Sequence, residues 1–142
     1  MHAVAAGLVL GWLTALSGYD IRRRRLPNAL TLPAAIAVPA VAFWVDRGPA
    51  ALAGAAGLSA VYLVVHLIAP DGLGAGDVKL AVSLGALTGA FGADVWLLAA
   101  VAAPLLTGLW ALFVLAVRRS RTVPHGPSMC LASAVALSLG MY

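Results

Sequence analysis

Residues 1–28 read MHAVAAGLVLGWLTALSGYDIRRRRLPN, and the alternation inside that stretch decides the fold. Met1 to Tyr19 contains no Asp, Glu, Lys or Arg. As a helix rising about 1.5 Å per residue, it is long enough to cross a hydrocarbon core of roughly 30 Å. Only His2 precedes the apolar run, so there is no basic leader, and the run is longer than the apolar region of a secretory signal. A permanent span is expected. Asp20 then ends it, and Arg22, Arg23, Arg24 and Arg25 follow.

The rest of the chain repeats this pattern. Further apolar segments run over about 26–45, 48–69, 80–93, 95–117 and 128–142, which predicts six helices. The composition agrees: 63% of residues are hydrophobic and 10% charged, against roughly 25% charged in soluble domains. A soluble fold of 142 residues has too little interior for that apolar surface, so the excess is expected to face lipid. With no internal repeat and no long linker, residues 1–142 are read as a single transmembrane domain.

The basic residues orient the chain. Arg22 to Arg25 lie between the first two spans, Lys79 beside the connection of the third and fourth, and Arg118, Arg119 and Arg121 between the fifth and sixth. Of nine Lys and Arg residues only Arg47 falls on the opposite side, next to Asp46. Basic residues accumulate in cytoplasmic loops, so those three connections are predicted to be cytoplasmic and both termini external. The net charge of +4 is therefore read as topology and contact with membrane lipid, and no nucleic-acid partner is expected. The lone Cys130 excludes a disulfide framework and a four-cysteine zinc site, and is read as a small packed residue.

All five acids are aspartates. Asp46 and Asp94 fall at external ends of spans, and Asp71 in the Pro70-Asp71-Gly72 turn; all three read as solvated. Asp77 differs. The apolar run behind it is too short to span, so the fourth helix must begin near Gly74, which draws Asp77 just inside the membrane boundary. A carboxylate there marks a functional site, or else it is the N-cap of the fourth helix. Lys79 is expected on nearly the opposite face, free to snorkel away from Asp77. Asp20 sits unfavourably at the C-terminal end of the first helix, and pairing with the following arginines is the simpler account of it.

The antiparallel first and fourth helices each carry glycines spaced by four: Gly7 and Gly11, Gly85 and Gly89. Such faces permit close approach in membranes. If they pack together, Asp20 and Asp77 arrive at nearly equal depth. Two carboxylates in a partly dry site do not both ionise easily, which leaves an acid beside a base suited to activating water and protonating a leaving amide nitrogen. No metal or other cofactor is required, since His2, His66 and His125 lie on different segments without ligand spacing.

Three segments together resemble the type IV prepilin peptidases, or leader peptidases. Asp20 followed by Leu26-Pro27-Asn28 is similar to the family's aspartate followed by Ile-Pro-Asn, with leucine for isoleucine. Gly74-Ala75-Gly76-Asp77 resembles its GxGD signature. Pro124-His125-Gly126-Pro127 resembles a Pro-aromatic-Gly-Pro motif, with histidine where an aromatic is common. The resemblance covers essentially the whole chain. It implies an all-α, polytopic GxGD-type intramembrane aspartic protease, with Asp20 and Asp77 as the catalytic pair. It further implies pilin precursors as partners, cut between basic leader and apolar helix at the cytoplasmic face of the inner (plasma) membrane. Gly74 and Gly76 are expected to permit close approach of a substrate strand. Lys79 belongs to the same motif segment, and Pro27, Asn28, Pro124, Gly126 and Pro127 are expected to shape helix entry at the interface.

Larger bacterial members resemble a fusion with a Cys-x-x-Cys region linked to methylation, which this sequence lacks, so peptidase without methyltransferase activity is expected. The size is similar to peptidases serving Flp/Tad-type pili or archaeal preflagellins. Two other readings stand beside this one. A signal-peptide-peptidase or presenilin-type protease shares Tyr19-Asp20 and GxGD, but no Pro-Ala-Leu motif is present. A small proton- or cation-coupled transporter would also use intramembrane acids.

Overall fold

The computed structural model describes residues 2–118 and 123–141. Expectations for Met1, Arg119, Arg121 and Tyr142, and for the side chains of His2 and Arg118, lie outside the described residues. Among the described residues the chain forms six α-helices: α1 His2–Arg23, α2 Asn28–Trp44, α3 Gly48–Ile68, α4 Ala75–Phe91, α5 Ala93–Arg118 and α6 Gly126–Gly140.

Local chemistry explains the breaks. Arg22 and Arg23 occupy the last turn of α1, where cations oppose the negative helix end. Arg24 then turns to a φ of 49° and ends the helix. Pro27 caps α2 in extended conformation, as its fixed φ favours. Pro49 lies in the first turn of α3, where its missing N–H breaks no helical bond. Between α4 and α5 a single residue suffices, because Gly92 adopts a φ of 130° that side chains disfavour.

Three helices are long and apolar enough to cross a membrane alone, over Ala3–Arg23, Gly48–Ile68 and Ala93–Val117. The remaining three are shorter, and the reason is visible for α4. It packs against α2, α3, α5 and α6, and Leu80, Leu84, Ala86 and Thr88 are fully buried. A helix wrapped by protein need not be apolar all round. α5 is the reverse, with Leu97, Leu105, Leu112 and Phe113 all more than half exposed. In water such a surface would aggregate; it suits a bilayer. The chain is thus an all-α polytopic membrane protein.

One packing expectation is overturned. Gly85 and Gly89 of α4 pack on α3, not on α1. A Cβ built on Gly54 would lie 2.2 Å from the Gly85 carbonyl oxygen, and one on Gly89 would lie 2.7 Å from the Ala50 carbonyl oxygen. Backbone meets backbone there, and the Trp96 indole N–H donates to the Gly54 carbonyl at 2.9 Å. Gly7 and Gly11 are exposed and nothing would meet a Cβ on either. α1 packs instead against α6, with Leu13, Leu16, Met129 and Cys130 in the shared core. Spacing by four marks a face that permits close approach, but leaves the partner open.

Candidate active site

Asp20 and Asp77 do meet at one end of the bundle, by a route different from the glycine seam. Asp20 lies in the last turn of α1 and is 7% exposed; Asp77 lies in the first turn of α4 and is 9% exposed. Both line one cavity of about 580 Å³, close enough for their charges to interact.

Each carboxylate is held by a helix N-terminus. Gly74, the N-cap of α4, donates its N–H to Asp77 Oδ2 at 3.2 Å. Asp77 is therefore at the third helical position reaching back, not the N-cap of the sequence-based alternative. Asp20 Oδ2 accepts the N–H of Gly126, the first residue of α6, at 2.9 Å. The misfit of an acid at the end of α1 is resolved across the fold: Asp20 caps another helix, whose positive end and free N–H favour an anion. Gly126 leaves room for this, since a Cβ there would sit 2.5 Å from Asp20 Oδ2.

The other motif residues group around this pair. Leu26, Pro27, Asn28, Gly74, Gly76 and Lys79 line the same cavity. Lys79 Nζ donates to Asn28 Oδ1 at 3.1 Å and ties the start of α2 to α4, a partner that helix rotation did not name. Gly76 faces Leu26, whose Cβ would lie 3.3 Å from a Cβ added there. The close approach at that glycine is made by the chain's own loop. Pro124 and Pro127 flank the start of α6 and frame the peptide that holds Asp20. Arg23, Arg24 and Arg25 line the mouth, and Arg47 is at the far end, donating to the Ala90 carbonyl.

Tyr62 and Thr107 were not singled out by sequence, and His66 and His125 were read there only as non-ligands, His125 also as a motif position. Tyr62 is 6% exposed and its hydroxyl meets His125 Nε2 at 2.8 Å. Thr107 Oγ1 meets His125 Nδ1 at 2.5 Å. His125 precedes α6, and burial holds its imidazole down to about 4 against an ordinary 6.5, so it is neutral near pH 7. His66 Nδ1 lies 2.6 Å from the Leu73 carbonyl, anchoring the loop before Gly74. The signal for two of these was present. Tyr62 and His66 are one turn apart on the α3 face nearest the GxGD segment, which is how i,i+4 neighbours pair. Cys130 is buried in the core, as expected.

The chain matches the type IV leader peptidase family over residues 7–118. It is 31% identical over 137 residues to the prepilin leader peptidase/N-methyltransferase of Xanthomonas campestris pv. campestris, covering 91% of this chain and 47% of that protein. Proteins of the same name from Aeromonas salmonicida and Aeromonas hydrophila are each 30% identical over 143 residues, covering 95% of this chain and 49% of theirs. The chain spans about half the length of the curated relatives it matches. No solved structure matches it. Since the matched stretch takes in both the segment from Asp20 to Asn28 and the GxGD turn, the chain belongs to the type IV leader peptidase family.

Proposed function

We propose that this chain is one transmembrane peptidase domain, an aspartic endopeptidase that removes the leader of type IV or Flp-like pilin precursors. The scissile bond lies between the basic leader and the apolar helix, and Asp20 and Asp77 form the dyad. The observation that carries the reading is the convergence of two buried carboxylates, from helices that do not adjoin in sequence, on one cavity. Family membership favours this reading over a signal-peptide-peptidase-like protease or a small transporter.

The dyad holds one proton between two carboxyl groups and titrates as a pair. The ionised member takes a proton from water as the oxygen attacks the scissile carbonyl carbon. The protonated member then delivers its proton to the leaving amide nitrogen as the C–N bond breaks. The N–H groups of Gly126 and Gly74 fix one oxygen of each carboxyl, which leaves the other two oxygens to face water and substrate. Of the two activities in the relatives' name, this pair accounts for the hydrolytic one.

On this reading the site lies at the cytoplasmic face of the inner membrane. Arg23, Arg24, Arg25 and Lys79 at the cavity mouth support that side by the distribution of positive charge. Co-expression with a candidate prepilin tests the whole. Wild type should shorten the prepilin, and Asp20→Ala and Asp77→Ala should each leave it full length. Complete leader removal by either variant overturns the dyad.

A further inference from the structure

His125 links three helices through contacts to both of its ring nitrogens. Thr107 Oγ1 donates to the Ala103 carbonyl at 3.1 Å, and a carbonyl can only accept. With the hydroxyl proton given to that carbonyl, the Thr107 oxygen is free to accept from His125 Nδ1, which then carries the hydrogen. A neutral imidazole has one donor and one acceptor. Nε2 is then the acceptor, and the Tyr62 hydroxyl donates to it. The chain runs one way: Tyr62 O–H to Nε2, Nδ1–H to Thr107 Oγ1, Thr107 O–H to Ala103 O.

This chain clamps the residue immediately before Gly126, whose N–H holds Asp20. His125 occupies the N-cap position of α6 but makes no side-chain cap bond; its two ring nitrogens are spent on α3 and α5. Asp20 takes over the capping. Tyr62, at the other end of the chain, lies within reach of the charge of Asp77. One imidazole is therefore braced against the wall beside Asp77 while its own backbone presents the hydrogen bond to Asp20.

We propose that His125, as the Nδ1–H tautomer bonded between Tyr62 and Thr107, is the positioning residue that sets where Gly126 holds the Asp20 carboxylate relative to Asp77. It touches neither substrate nor the reacting atoms. The low intrinsic tendency of this imidazole to protonate in its half-buried site keeps the acceptor at Nε2 across the physiological range. A phenylalanine ring at the same place would fill the space but supply no directed bonds.

The inference rests on the dyad reading for its kinetic consequence and not for its spectroscopic one. Protein labelled with 15N-histidine and 15N-glycine in detergent micelles, with His125→Gln and Gly126→Ala to assign the two signals, should show a protonated Nδ1 and an unprotonated Nε2 at His125. Thr107→Val removes the acceptor without changing shape; it should move the proton to Nε2 and shift the 15N signal of the Gly126 amide. Thr107→Ser should restore both signals. In prepilin cleavage, Thr107→Val should lower kcat about tenfold with KM changed less than about twofold, as expected for misplaced catalytic groups. Thr107→Ser should recover the rate. An Nε2–H tautomer in wild type overturns the proposal, as does Thr107→Val with wild-type kcat. A wild-type protein that cuts no prepilin removes the function proposed above, and the two 15N signals still decide the positioning.

Discussion

α4 and α5 adjoin in the chain, separated by Gly92 alone, yet they are built for opposite surroundings. α4 carries Ser83, Gly85, Thr88 and Gly89 among small apolar residues, all buried. α5 carries Leu97, Leu105, Trp110, Leu112 and Phe113, all exposed. In a soluble protein the more apolar helix would be the interior one. In a bilayer, lipid tails are as apolar as leucine, so burying leucine against protein yields no hydrophobic gain. Close packing of small residues and internal hydrogen bonds hold the helices together instead. The polar, glycine-rich helix is the core.

Substitution at the α3/α4 seam should give the largest stability change. Gly54→Leu places side-chain atoms where the Gly85 carbonyl and Gly89 Cα already lie. We expect a loss of about 4 kcal/mol, seen as a large drop in thermal midpoint in detergent. Near-wild-type stability would mean that the seam is not formed by these glycines.

The second prediction concerns a polar contact that α5 makes on its inward side, Thr107 with His125. The imidazole is held at about 4 in the folded protein against an ordinary 6.5. Between those values the unfolded chain binds a proton that the folded one does not. The stability contributed is complete above pH 6.5 and is lost as pH falls through about 4. The maximum is about 3 kcal/mol, and equilibrium unfolding of wild type against His125→Gln over that window measures it. Parallel pH curves would remove this contribution.

Gly126→Ala sharpens the comparison at the site end of the core. Its Cβ would push on Asp20 Oδ2. Cleavage should fall roughly 100-fold, or about 2.7 kcal/mol of transition-state stabilisation, with the fold retained. Cleavage at the wild-type rate would show that the Asp20 position tolerates displacement. The smallest effect belongs to α5. Leu112→Ala opens no cavity, because that side chain is 65% exposed. A change below about 0.5 kcal/mol is expected, and a larger one would place Leu112 against a partner.

Much of this was legible in residue order. The six helices begin and end within a few residues of the charge boundaries, because desolvating an arginine or aspartate in hydrocarbon is expensive wherever the rest of the chain lies. The need to start the fourth helix near Gly74 followed from length alone, and α4 does start at Ala75. What failed was the partner of each surface. Gly7 and Gly11 had the pattern of a packing face and are exposed, whereas Gly85 and Gly89 found α3. Rotation turned Lys79 away from Asp77 but did not name Asn28 as its acceptor.

The sequence by itself determined which segments are helical, which ends lie together, and that Asp20 and Asp77 share an end. Those follow from hydropathy, charge and chain direction, which are local properties summed along the chain. Tertiary structure alone decided that α6 brings its N-terminus to Asp20, and that His125 is strung between Tyr62 and Thr107. Hydrogen bonds across helices depend on distance and angle between groups remote in the chain, and no periodicity encodes those.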